Sequence, residues 1–151
     1  MMSTFEKIVR YKPQTSILQK AFRLLLGLFL LFAGISHLTV ARAEFLAQVP
    51  AWVAVDGDLV VVLSGIVEIG LGAALILLRG YQVLAGWATA IFFIVIFPGN
   101  VAQYLNRVDA FGLNTDTARG VRLLFQPLLV LWALWSSGAW QAWRRLFSDY
   151  I

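Results

Sequence analysis

One acidic side chain, Glu68, stands inside an apolar run, Leu59–Leu78, that holds no other charged residue. It lies nine residues into that run, so about 14 Å deep at the helical rise of ~1.5 Å per residue. That depth is near the middle of a hydrocarbon core about 30 Å thick. A carboxyl group there must be protonated or paired. Ser64, Glu68 and Gly72 are spaced by four and share one helix face, with Gly65 beside it. Small residues let a second helix approach closely. The spacing therefore predicts that Glu68 points into a helix–helix seam.

Other apolar runs carry polar groups at similar depth. The single histidine, His37, shares a face with Ala33 and Gly34. Asn100 shares one with Gln103 and Tyr104, just after Pro98. That proline removes the donor for the Ile94 carbonyl and is expected to kink its helix. Arg122 and Gln126 are four apart, and Pro127 follows. The common depth predicts one buried cluster of His37, Glu68, Asn100, Arg122 and Gln126, with Arg122 reaching down to Glu68. Such a cluster can exchange a proton at Glu68 and hydrogen-bond the carbonyls or hydroxyls of a small ligand through the other four. Aromatic and aliphatic walls from Phe97, Phe125 and Trp132 would complete the site. Ser64, Gly65, Gly72, Pro98 and Pro127 would serve it as structural support. The competing reading is packing alone, since interhelical polar contacts contribute about 0.6 kcal/mol each.

Composition excludes much else. The chain has 151 residues, no cysteine and one histidine. Disulfide exchange, thiol catalysis and iron–sulfur clusters are ruled out, and no metal site is expected, because zinc takes three or four protein ligands. Sixty per cent of the residues are apolar and 13% charged, against about 45–50% and about 25% in soluble domains. A soluble fold of this length could not bury so much apolar side chain. The net charge of +4 comes from basic residues gathered mainly at the chain ends, which suits a membrane surface and not a nucleic acid.

The elements that must position the cluster are membrane helices. Four runs are long enough to span, and they predict helices over about 21–41, 59–78, 82–105 and 121–143. Outer loops then cover 42–58 and 106–120. A cleavable leader ending at Ala41-Arg42-Ala43 is the rival reading of the first run. That run is long for a leader and three more follow. Eight basic residues, Lys7, Arg10, Lys12, Lys20, Arg23, Arg79, Arg144 and Arg145, would lie on one side. Four, Arg42, Arg107, Arg119 and Arg122, would lie on the other. The asymmetry puts both termini in the cytoplasm. Spans two and three should pair tightly across Arg79-Gly80. Apolar spacing over Glu44–Trp52 predicts a short interfacial helix or a wet loop. The fold class is thus all-α, an antiparallel four-helix bundle integral to the cytoplasmic membrane and forming one domain over 1–151.

Five short elements carry a resemblance. Gly34-Ile35-Ser36-His37, Val49-Pro50-Ala51-Trp52, Ser64-Gly65-Ile66-Val67-Glu68, Phe97-Pro98-Gly99-Asn100 and Arg122-Leu123-Leu124-Phe125-Gln126-Pro127 occur in this order. Together they resemble the DoxX-like family of small integral membrane proteins. The resemblance implies a four-helix membrane bundle and places family positions on His37, Glu68, Asn100, Arg122 and Gln126. It also implies a link to membrane redox complexes, since relatives include a subunit of a thiosulfate:quinone oxidoreductase. More distant relatives act as receptor-assembly chaperones or cargo receptors. Val53-Ala54-Val55 follows Trp52 where family members often have a proline.

No redox centre is encoded. A redox role would need a bound quinone or a partner's cofactor, so an accessory subunit or ligand-binding component is expected ahead of a free-standing enzyme. The alternative is a structural or chaperone-like membrane protein that recruits a partner protein, with the cluster only fixing helix packing. Gly-lined faces also allow association into a homo-oligomer. A transporter is disfavoured, because no inverted repeat or paired broken helices can be seen.

Overall fold

The computed structural model describes residues 6–7 and 11–148 and, among them, is built from helices with no strand. Helix α1 runs Ile17–Leu38, the short α2 Arg42–Leu46, α3 Gly57–Leu77, α4 Gln82–Leu105, α5 Asp116–Ser136 and α6 Ala139–Ser148. A 3-10 turn, Arg79–Tyr81, joins α3 to α4. Among the described residues, three helices are long and apolar enough to cross a membrane, and the bent pair α5 and α6 makes a fourth if counted as one span.

Helix starts follow local chemistry. Ser16 caps α1: its side chain accepts from the Gln19 amide, and the Gln19 side chain accepts from the Ser16 amide. This reciprocal capping satisfies two otherwise orphaned donors, so α1 begins four residues before the predicted span. It also ends earlier, at Leu38, where Thr39 leaves helical geometry. Asp56 and Thr115 cap α3 and α5 by a single bond each, accepting from the Leu59 and Ala118 amides. The third predicted span, 82–105, coincides with α4, and Pro98 stays inside it.

The fourth predicted span needs correction. The chain does not run straight from 121 to 143. It turns by 71° between α5 and α6. Ser137 ends α5, and Gly138 takes a φ of +74°, a left-handed conformation open to glycine at little cost.

Arg23 is a second correction. It falls inside the first predicted span and was counted as a charge on one membrane side. It lies within α1 at 4% exposure, and its Nη1 donates to the Leu75 carbonyl at 2.8 Å. A cation there satisfies a carbonyl at the C-terminal end of α3. Arg10, counted on the same side, lies outside the described residues.

The helices pack as two close pairs, α1 with α3 and α4 with α5, and smaller contacts join α1 to α5 and α3 to α4. Glycines set the first pair. A Cβ placed on Gly34 would lie 2.6 Å from the Gly65 carbonyl oxygen, and one on Gly72 2.6 Å from that of Gly27. Backbones this close leave no room for a side chain at the glycine positions. Hydrogen bonds from Gln19 Nε2 to Trp135 O and from Trp132 Nε1 to Phe22 O tie α1 to α5. Toward the end that holds α6, Leu26, Leu30, Leu75, Val83, Phe93 and Ala133 form the apolar core. Around it, Leu25, Leu28, Ile66, Ile94, Leu128 and Leu131 face outward and exposed. That girdle suits lipid and would be an aggregation liability in water.

Candidate ligand cavity

Pairing the four long helices leaves a cavity at the other end of the molecule. Its volume is about 700 Å³, within the ordinary range of small-molecule sites. It is lined by His37 of α1, Ser64 and Glu68 of α3, Asn100 of α4, and Arg122 and Gln126 of α5. The structure thus brings all five candidate site residues to one space. Most of the wall is apolar, including Phe29, Phe32, Val61, Phe93, Ile96 and Leu129. The outer loops close over it with Phe45, Val49, Pro50, Trp52, Val53 and Phe111.

One side of the cavity is acid and base. His37 and Glu68 are each only 6% exposed. His37 Nδ1 lies 2.8 Å from Glu68 Oε2 and 3.0 Å from the Ala33 carbonyl. One ring nitrogen thus faces two acceptors. It is aligned for a hydrogen bond with the carbonyl, while its approach to the carboxylate has ion-pair distance without hydrogen-bond alignment. Glu68 Oε2 is therefore buried with no aligned hydrogen-bond partner. Phe45 stacks on the imidazole, with ring centroids 3.3 Å apart. The Gly34–Gly65 contact explains why these two side chains meet, since a Cβ on Gly65 would lie 2.8 Å from His37 Cβ.

The opposite side is amide and guanidinium. Asn100 Nδ2 donates to Gln126 Oε1 at 3.0 Å, and Gln126 Nε2 donates to the Phe93 carbonyl at 2.7 Å. This is the carbonyl next to that of Ile94, whose helical donor Pro98 removes. Arg122 Nη2 donates to Gln48 Oε1 at 3.1 Å, and Gln48 Nε2 donates to Gln103 Oε1 at 2.9 Å. The guanidinium also sits 5.4 Å from the centre of the Phe111 ring.

The expected contact between Arg122 and Glu68 does not form. Among the described residues Glu68 pairs with His37, and Arg122 makes no ion pair. Both line the cavity, but Glu68 lies against His37 while Arg122 donates to Gln48. The supporting residues divide in a similar way. Ser64 and Pro98 line the cavity, Gly65 and Gly72 lie in the α1–α3 seam, and Pro127 is within α5. Of the predicted aromatic walls, Phe97, Phe125 and Trp132 are not among the lining residues.

Gln48, Phe45 and Phe111 were not singled out as site residues. Over Glu44–Trp52, where a short helix or a loop was expected, the chain has both: a helix over Arg42–Leu46 and turns after it. Those turns place Gln48 over the cavity. A lone glutamine among Leu46, Val49 and Pro50 was its only signal in the sequence. The loops themselves are held by other arginines. Arg42 Nε donates to Asp58 Oδ1 at 2.7 Å, and Asp58 holds that guanidinium's pKa above its ordinary value. Arg119, 5% exposed, donates to Asp116 at 2.8 Å, to the Val108 carbonyl at 3.3 Å and to Asp109. It was counted only as an outer charge, and its structural role organises the second outer loop.

Residues 26–137 match the model of a family described as a domain of unknown function, DUF8561. That stretch contains every residue that lines the cavity. No curated protein and no solved structure matches the chain.

Proposed function

Since the chain belongs to the DUF8561 family of unknown function, we propose a function from the cavity itself: this is a multi-pass membrane protein that holds a small amphipathic ligand between its four long helices. The observation that carries the reading is convergence. Polar groups from four separate helices, each costly in lipid, face one largely apolar space. Polar groups that served only packing would be satisfied in pairs across a seam. Asn100 and Gln126 are, whereas Glu68 Oε2 meets His37 at ion-pair distance without an aligned hydrogen bond.

The arrangement assigns roles. Glu68 and His37 hold or move a proton at the ligand's polar end, and Asn100, Gln126 and Arg122 offer amide and guanidinium donors. The resemblance to the DoxX-like proteins favours a quinone and an accessory role beside a redox partner, because this chain supplies no electron carrier of its own. The same reading makes the protein a four-helix bundle in the cytoplasmic membrane, with both termini inside and α6 along the inner surface.

The test is mass spectrometry of small molecules that copurify with the protein in mild detergent. Wild type is compared with Glu68→Gln at matched thermal stability. A quinone or other amphipath is expected in wild type and lost from the variant. Equal lipid backgrounds, with a lower melting temperature for Glu68→Gln, would instead make the cluster a packing device and direct the search to a protein partner.

A further inference from the structure

The outer end of the molecule carries four arginines, and they are not equivalent. Arg42 is paired with Asp58, Arg119 with Asp109 and Asp116, and Arg107 with Asp116 at 3.7 Å. These three lie outside the cavity lining. Arg122 lines the cavity, and it alone of the four has no carboxylate partner among the described residues. A guanidinium has five N–H donors. Among the described residues Arg122 makes one hydrogen bond, to a neutral amide oxygen. Glu68, the one carboxylate among the described lining residues, is engaged by His37.

A cation beside apolar walls is costly without a counter-ion. Three neighbouring arginines show that this end of the fold supplies aspartates freely. For Arg122 it supplies glutamine instead. We infer that the missing counter-charge belongs to the ligand: the cavity takes an amphipath with an anionic headgroup, a carboxylate or a phosphate, seated on Arg122. Two oxygens of such a group match the planar fork of a guanidinium. Phe29, Phe32, Ile96 and Leu129 provide a wall for its tail. The inference rests on the cavity being a ligand site and is independent of the quinone assignment.

Calorimetric titration of the full chain in nanodiscs of neutral phosphatidylcholine tests it, with empty discs as background. The probes are dodecanoate, dodecyl phosphate, methyl dodecanoate, a decyl-substituted benzoquinone, acetate and inorganic phosphate. Dodecanoate or dodecyl phosphate is expected to bind wild type about ten- to a hundredfold more tightly than the methyl ester, the size of one charged hydrogen bond. That gap should vanish in Arg122→Gln and persist, reduced, in Arg122→Lys. The wild-type comparison of acid with ester needs no variant to fold. Equal binding of acid and ester, or binding of the benzoquinone alone, overturns the anionic headgroup and leaves a ligand site standing. Acetate or inorganic phosphate binding as well as the long-chain acids overturns the amphipath and makes Arg122 a free-anion site. If no probe binds, both this inference and the ligand-site reading fall.

Discussion

Gln48 shows how much a single neutral side chain decides. It joins Arg122 of α5 to Gln103 of α4 and sits in a loop that neither helix owns. Gln48→Ala removes both hydrogen bonds and leaves two buried or half-buried groups unsatisfied, at a cost of about 1–3 kcal/mol. Thermal unfolding in detergent should show a lower melting temperature. Gln48→Glu tests the other bond. It places a carboxylate beside Arg122 and gives the cavity an internal counter-ion, while giving up the donor to Gln103 Oε1. Affinity for dodecanoate is expected to fall. A Gln48→Glu protein that binds dodecanoate as tightly as wild type would contradict the seating on Arg122.

At the scale of elements, the α1–α3 pair depends on absent side chains. Gly65→Ala puts a methyl group 2.9 Å from the Gly34 carbonyl oxygen and 2.8 Å from His37 Cβ. Overpacking of this kind typically costs 1–3 kcal/mol, so about that loss is expected. Gly70→Ala is the control, because nothing lies within 4 Å of a Cβ there. Equal melting temperatures for the two variants would refute the glycine seam. This seam was legible in the sequence: Gly27, Gly34, Gly65 and Gly72 recur at spacings of seven, and helical geometry puts each pair on one face. The common depth of His37, Glu68, Asn100 and Gln126 was legible for the same reason, because a helix converts position into depth. The break between α5 and α6 was missed by reading the run on apolar content alone, although Ser137-Gly138 is a turn signal. The cover of the cavity was beyond reach. Phe111 adopts a φ of +55° and Arg107 one of +52°, both rare for such residues. Such turns are set by contacts such as those of Arg119 across the loop, not by any local period.

For the whole molecule, the distribution of charge predicts direction. Along the sequence, eight basic residues fall at or before the start of the first helix's apolar run, between α3 and α4, or after α5, and four fall in 42–58 and 106–122. A periplasmic-only reporter such as alkaline phosphatase should be inactive when fused after Ile151 and active when inserted in the loop near Asn114. A fluorescent protein fused after Ile151 should be bright. The reverse pattern would invert the topology and place the cavity at the cytoplasmic side. The cavity's position relative to the helices would not change, since it is set by packing and not by the membrane.

The division into two close pairs has a consequence for how the protein is made. Each pair is contiguous in the chain: α1 and α3 come first, α4 and α5 second. A chain inserted from its N-terminus can finish the glycine seam before the second pair leaves the ribosome. The cavity is then the last feature to exist, because it needs a wall from both pairs. Until that moment His37 and Glu68 have each other, with Phe45 stacked on the imidazole, but no cover from the second pair. Docking of α4 and α5 then supplies that cover, with Phe93, Asn100 and Gln126 among the walls.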